Sequence, residues 1–241
     1  MFSIFKKKYS MLSAALLEGA TDAHSHILYG VDDGVSTEEE SLSILSFCEK
    51  AGMKSVWLTP HIMEDVPNRS EDLKKRFDAL RQAWKGSLEL RLSAEYMLDT
   101  LFEERLARRD LLTHGEGHIL VETSTWAPPM DLWGTLEKIL AAGYRPILAH
   151  PERYRYMGRP EYRRLASMDV RLQLNIPSIV GSYGDAVREK ARFLLHCGYY
   201  SMAGSDCHRG KSITSQYAAE VLEKKDIRLL KPLLMQSEGN Q

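Results

Sequence analysis

The sequence predicts an α/β fold: a distorted (β/α)7, TIM-like barrel in one domain spanning residues 1–241. Three observations carry this. Short apolar runs alternate with amphipathic helical repeats seven times, the pattern of βαβ units around a parallel sheet. No Pro- or Gly-rich linker splits the chain into two open halves. Most of the apolar runs end in a histidine or a carboxylate, and barrels of this class carry their chemistry at the C-terminal strand ends.

The elements follow in order. Thr21–His26 reads as the first strand, and Ser36 or Thr37 caps a helix whose inner stripe is Leu42, Leu45 and Cys48, ending near Gly52. Ser55–Thr59 is a continuous apolar run, as expected of a strand buried on both faces. Ser70–Trp84 places Leu73, Phe77, Leu80 and Trp84 on one helical face. Strands are then expected over Leu88–Ala94, Ile119–Glu122, Pro146–Ala149, Val170–Asn175 and Tyr199–Gly204. Helices are expected over Leu98–Arg109, Asp131–Ala142, Pro160–Met168, Gly184–His196 and Thr214–Lys224. Residues 1–20 read as an N-terminal extension, expected to pack on the barrel as a helix, and 236–241 as a disordered tail.

Composition narrows the function. A net charge of −1 argues against non-specific nucleic-acid binding. Three cysteines make no disulfide framework and fit a reducing cytoplasm. No apolar run reaches the roughly 18 residues of a membrane span. Phe2, Ile4 and Phe5 before Lys6-Lys7-Lys8 leave open a peripheral contact with the inner membrane face.

The strand ends carry the chemistry. His24 and His26 stand at i and i+2, so both imidazoles point to one side, and Asp33 follows on the loop. Later ends supply His61, Glu95, Glu122 and His150, with Asp206 and His208 last, whereas strand six offers only Asn175. A lone histidine at a strand end is usually just a satisfied polar residue. Nine donors converging on one barrel mouth suit two or three divalent ions rather than one. The absence of thiolate among imidazoles and carboxylates favours manganese, with iron or zinc as alternatives. Three such ions against four carboxylates leave a positive surplus that suits a phosphate dianion. Cys207 lies between two donors on the same strand and should face the opposite way, into the core. His114, His118 and His196 read as structural.

Taken together, Asp22-Ala23-His24-Ser25-His26, Asp32-Asp33-Gly34, Thr59-Pro60-His61, Ala94-Glu95, His150-Pro151-Glu152-Arg153-Tyr154 and Ser205-Asp206-Cys207-His208 resemble the polymerase and histidinol phosphatase (PHP) superfamily. Within it, the chain is similar to the bacterial PHP-type protein tyrosine phosphatases of capsule and exopolysaccharide loci, the CpsB/YwqE type. The resemblance implies a three-metal site. His24, His26, Glu95 and Asp206 would surround one ion. Glu95, Glu122 and His150 would hold a second, and Asp33, His61 and His208 a third. Arg153 would bind phosphate, acting with Asp206 and His208 in catalysis, and Asp22 would support the ligands from behind. The implied substrate is a phosphotyrosine protein, the tail of a bacterial tyrosine autokinase in polysaccharide export.

Two departures stand out. Ile62 follows His61 where such proteins usually carry a second histidine. The arginine expected a few residues past the last motif is replaced by Arg209-Gly210-Lys211, so Arg209 is the candidate second phosphate-binding arginine, ahead of Lys211. The competing readings are a PHP phosphatase of a small molecule such as histidinol phosphate, and a non-catalytic domain that keeps its metals for folding. The sequence argues against a cysteine-dependent phosphatase. Such an enzyme needs an arginine six residues after its cysteine, and Lys54, Ala203 and Ile213 stand there.

Overall fold

The structure is a computed structural model that describes residues 7–235. Nine strand segments run in chain order: β1 (Thr21–Asp22), β2 (Ser55–Leu58), β3 (His61–Ile62), β4 (Glu89–Leu92), β5 (Glu95–Met97), β6 (His118–Glu122), β7 (Arg145–Ala149), β8 (Arg171–Asn175) and β9 (Tyr200–Gly204). All pair in parallel, in one ladder β1-β2-β4 and another β3-β5-β6-β7-β8-β9.

The two ladders are parts of one barrel. β2 and β3 are halves of a single stave interrupted at Thr59-Pro60, where proline has no N–H to give the ladder. β4 and β5 form a second stave, broken at Ser93-Ala94. Across these breaks Ser93 N donates to Leu58 O (2.9 Å) and Glu95 N to Pro60 O (3.0 Å). The last stave meets the first through Ala23 N to Ala203 O (3.1 Å), Asp206 N to His24 O (2.8 Å) and His26 N to Cys207 O (3.0 Å). Nine segments therefore make the seven staves read from the sequence, and the barrel closes.

Helices α1 (Glu38–Lys50), α2 (Ser70–Ala83), α3 (Thr100–Arg108), α4 (Leu132–Ala141), α5 (Arg159–Ser167), α6 (Ile176–Val180), α7 (Asp185–His196), α8 (Gly210–Ala218) and α9 (Lys224–Leu234) complete the described chain. Thr37, Asp99 and Asp131 cap α1, α3 and α4 by accepting from Glu40 N, Phe102 N and Gly134 N. The main core lies between staves and helices, where Leu45, Val56, Leu58, Ile119, Val121, Leu148, Leu174 and Leu194 are sealed. A separate apolar plug of Ala23, Leu120, Ile147, Ala149 and Met202 comes from four staves. Each of these staves carries donor residues next to, or a few positions beyond, its plug residue. The plug thus excludes water beneath the polar cluster.

Two expected elements differ. Residues 10–15 make one turn, not a helix: Ser10 and Ser13 bond each other's backbone N–H, and Ala15 turns left-handed at φ 50°. Met11, Leu16 and Leu17 still pack into the core. The helix expected over 214–224 is replaced by α8, an extended stretch, and α9. Leu222 and Tyr9 exchange backbone hydrogen bonds of 2.9 and 3.0 Å, which pulls that stretch straight. Glu223 then opens a new helix, with its N–H bonded to Asp226 (2.9 Å). The expected tail at 236–241, and Phe2, Ile4 and Phe5, lie outside the described residues. Among the described residues no helix is long and apolar enough to cross a membrane.

Candidate metal centre

Strand register assembles the cluster. Ser25 pairs in parallel with Cys207, so their neighbours His24, His26, Asp206 and His208 project to the opposite, inner side. His61 is the register partner of Glu95, and Met97 that of Glu122. Cys207 faces the core between staves and helices, where burial pushes its thiol up to about 12, so it is no nucleophile at neutral pH.

Three imidazole nitrogens converge on one oxygen. Glu95 Oε2 lies 3.1 Å from His24 Nε2, 3.2 Å from His26 Nε2 and 3.3 Å from His61 Nδ1. It is buried, yet it makes no hydrogen bond with any of them. His24 Nε2 and His26 Nε2 are 3.1 Å apart, and Asp206 Oδ1 is 3.7 and 3.4 Å from them. His150 Nε2 lies 3.0 Å from Glu95 Oε1 and 3.7 Å from Glu122 Oε2, and His61 Nδ1 is 3.1 Å from Glu122 Oε1. At the rim Asp33 Oδ1 lies 3.6 Å from His61 and 3.4 Å from His208. Donors bound at about 2.0–2.2 Å stand roughly 3.0–3.6 Å apart around one ion. Most of the observed spacings fall in that range, and an orphaned buried carboxylate oxygen at their centre fits a cation.

Four groups of donors lie within 4.8 Å of one another: His24, His26 and Asp206; His24, Glu95 and His150; His61, Glu95 and Glu122; and His26, Asp33, His61 and His208. The grouping differs in detail from the one the sequence resemblance implies. His150 clusters with His24 and Glu95, and His61 faces Glu122 as well as Asp33.

The field of the cluster is strongly negative. Burial opposes charging His24, but Glu95 and Asp206 outweigh it and raise its pKa to about 9. Burial also opposes charging His26, but Asp206, Asp32 and Glu95 outweigh it and hold its pKa well above the ordinary imidazole value. Glu95 and Asp206 are held well below the carboxylate range, because the adjacent imidazoles overcome their burial. Carboxylates that gather protons onto neighbouring imidazoles gather metal cations by the same attraction.

Three braces escaped the sequence reading. Asp32 Oδ2 accepts from His26 Nδ1 (2.8 Å) and His61 N (3.0 Å), tying two donor-bearing loops together. Gln173 Oε1 meets His24 Nδ1 (3.1 Å) and accepts from His150 N (3.2 Å). Asn175 Nδ2 donates to Asp206 Oδ2 (2.8 Å). Such contacts fix ring orientation and tautomer. The polar residues Gln173 and Asn175, alternating with the buried Leu172 and Leu174, were the available signal. Asp22 Oδ1 accepts from His24 N (3.2 Å) and Ser205 N (2.7 Å), joining first and last staves, and burial raises its pKa to about 6.

Backbone geometry is specialised here. His150 and Asp206 adopt left-handed φ of 34° and 50°, a conformation uncommon for non-glycine residues, and both carry donors of the cluster. Gly204 is obligatory, since a Cβ there would lie 2.5 Å from that of His24.

The family model for capsular polysaccharide synthesis, CpsB/CapC, matches residues 20–229. The chain belongs to the CpsB/CapC family. It is 28% identical to the tyrosine-protein phosphatase CpsB of Streptococcus pneumoniae, covering 85% of this chain and 90% of that one. It is 26% identical to the tyrosine-protein phosphatase YwqE of Bacillus subtilis, covering 84% of each. Among solved structures it is similar to those of B. subtilis YwqE and S. pneumoniae CpsB, described as metal-dependent tyrosine phosphatases, with a TM-score of 0.73 at 22% identity over 92% of this chain and 97% of the other. A Listeria monocytogenes lactonase aligns at a TM-score of 0.52 and 11% identity, over 89% and 86%. These likenesses establish the barrel.

In this CpsB/CapC chain the rim completes the centre. Arg153, on the turn Pro151–Arg153 after β7, donates from Nη1 to Asp206 Oδ2 (3.0 Å) and lies 4.7 Å from the Tyr183 ring centre. Arg209, expected to bind phosphate, donates from Nη1 to the carbonyls of Gly34 and His208. The other histidines lie outside the donor groups. His114 Nε2 meets Ala23 O (2.8 Å) and stacks on Trp57, His118 is buried on β6, and His196 pairs with Asp226 (2.9 Å).

Proposed function

We propose that this chain is a metal-dependent protein tyrosine phosphatase. The observation that carries the reading is the buried, unbonded Glu95 Oε2 ringed by imidazoles, with the Arg153 guanidinium one residue away through Asp206. His24, His26, Asp33, His61, Glu95, Glu122, His150, Asp206 and His208 would hold two or three divalent ions. Their donor types favour manganese, then iron or zinc. Bound there, the ions supply Lewis-acid stabilisation of phosphoryl oxygens and acidify water.

The chain's own groups do the rest. Arg153 clasps phosphoryl oxygens with the N–H groups that Asp206 does not occupy. Asp206 serves twice: Oδ1 faces the imidazoles, while Oδ2 holds Arg153 and is itself steadied by Asn175. His208, at the mouth between Asp206 and Asp33, borders the space left for substrate. A tyrosinate leaving group, with a pKa of about 10, departs with little protonation, so an aryl ester needs no dedicated acid. Asp22 holds the first and last staves in register. Arg209 acts on the loop of Gly34 and not on phosphate.

The physiological substrate is a phosphotyrosine protein on the cytoplasmic side, the tail of a bacterial tyrosine kinase in capsule or exopolysaccharide control. The test is kinetics on a phosphotyrosine peptide and histidinol phosphate, side by side, with elemental analysis of protein purified without chelator. The reading expects the peptide to be preferred and activity to vanish on chelation and return with manganese. Preference for histidinol phosphate, or activity that survives metal removal, would overturn it.

A further inference from the structure

The barrel mouth carries a second feature that the metal centre does not use. Trp126 and Met130 sit on the loop after β6, a few residues past Glu122, and both are exposed, Trp126 at 68%. Two large apolar side chains exposed four residues apart on one loop, beside a cation stacked on one of them, are a candidate interaction surface. The Arg155 guanidinium lies 3.6 Å from the Trp126 ring centre. Arg155 is exposed, and among the described residues it forms no ion pair. It stands two positions from Arg153.

The platform is fixed in place. Arg155 N donates to Thr125 O (2.9 Å), Thr123 N donates to Tyr154 OH (3.2 Å), and Thr123 and Tyr156 share a hydroxyl–hydroxyl bond. Tyr154 OH in turn donates to Ala149 O (2.9 Å), anchoring both loops to β7. A preformed aromatic surface with an unneutralised cation binds at low ordering cost. Its charge matches carboxylates, and its place beside Arg153 matches a chain whose phosphorylated residue enters the centre.

We propose that Trp126, Met130 and Arg155 form a docking platform for an acidic peptide segment flanking the substrate tyrosine. The inference rests on the phosphatase reading and adds that the substrate is a polypeptide with acidic flanks. A carboxylate beside the phosphotyrosine pairs with Arg155, and an apolar neighbour lies over Trp126 and Met130.

The test compares wild type, Trp126→Ala and Arg155→Glu as metal-loaded enzymes. The substrates are p-nitrophenyl phosphate and two phosphotyrosine peptides, one with Glu flanks and one with Lys flanks. The platform expects KM for the acidic peptide to rise about tenfold in Trp126→Ala with kcat unchanged, the loss of one aromatic anchor. Arg155→Glu should reverse the flank preference, and p-nitrophenyl phosphate kinetics should stay the same in both variants. Equal losses on all three substrates, or no flank preference in wild type, overturn the proposal. Calorimetric binding of the unphosphorylated acidic peptide separates the two readings. Binding lost in Trp126→Ala, with no phosphate ester hydrolysed by wild type, keeps the platform and sinks the phosphatase. Aryl hydrolysis without peptide binding does the reverse. Trp126-dependent binding to phosphatidylserine vesicles, without peptide preference, assigns the surface to lipid and overturns the proposal.

Discussion

The deep end of the donor cluster differs from its mouth. The side chains of His24, His26 and Glu95 are wholly buried and those of His150 and Asp206 nearly so, whereas Asp33 is 70% exposed and His208 30%. The deep donors are braced: His26 by Asp32, His24 by Gln173, Asp206 by Asn175. Asp33 pairs at longer range with His61 and His208, at 3.6 and 3.4 Å. The deep end is therefore preorganised before any ion arrives, while the mouth keeps the freedom that substrate entry and product exit require. Burial also strengthens the attraction between carboxylate and cation at the deep end, because water screens it less there.

Glu95→Gln strikes the deep end hardest. Its two oxygens face four imidazoles, so the substitution should cost on the order of 10²–10³ in kcat, the scale of one lost electrostatic contact at a reacting centre. It should also lower bound metal, read by elemental analysis after gel filtration. Full metal content and near-wild-type turnover would break the contrast between the two ends.

A brace and a mouth donor come next, and they are neighbours in sequence. Asp32→Asn removes a carboxylate that holds His26 and His61 at once, and loss of such a support costs about 10–100-fold in metal affinity or activity. Asp33→Asn should cost less than about tenfold in affinity, since its exposed carboxylate has no supporting bond to lose. Competition titration against a fluorescent chelator measures both. If Asp33→Asn is the more damaging, preorganisation does not follow burial in this site.

The same contrast explains what the sequence disclosed. The seven staves were legible because apolar strand patterns, continuous in Ile119–Val121 and alternating in Leu88–Leu92 and Leu172–Asn175, recur between helical repeats, and the donors because histidine and carboxylate at strand ends are chemically conspicuous. Asp32 was hidden beside Asp33, the one counted as a donor. Gln173 was hidden because an uncharged amide within a strand carries no chemical signature of its own. The breaks in the second and third staves lie at Thr59-Pro60 and Ser93-Ala94, where the chain bends to aim His61 and Glu95 inward. That bend depends on tertiary pairing, which no local pattern encodes. The C-terminal error has a similar source, for the straight stretch before Glu223 exists only because Tyr9 pairs with it.

Arg209→Ala is the smallest expected effect and the sharpest probe of the mouth. The guanidinium joins the carbonyls of Gly34 and His208, and so links the Asp33 loop to the last stave. A net hydrogen bond contributes about 0.5–1.5 kcal/mol, which corresponds to a few-fold loss in kcat/KM through looser placement of Asp33 and His208. A phosphate contact would behave differently. Its loss would raise KM and weaken competitive inhibition by inorganic phosphate together, while loosened donors leave the phosphate inhibition constant nearly unchanged and make metal exchange faster. Measuring that constant and the metal off-rate in Arg209→Ala beside Arg153→Ala decides between them. Arg153→Ala should lose phosphate affinity, and Arg209→Ala should keep it. Should both lose it equally, Arg209 turns from the backbone toward substrate in the working enzyme, and the mouth is more mobile than its hydrogen bonds imply.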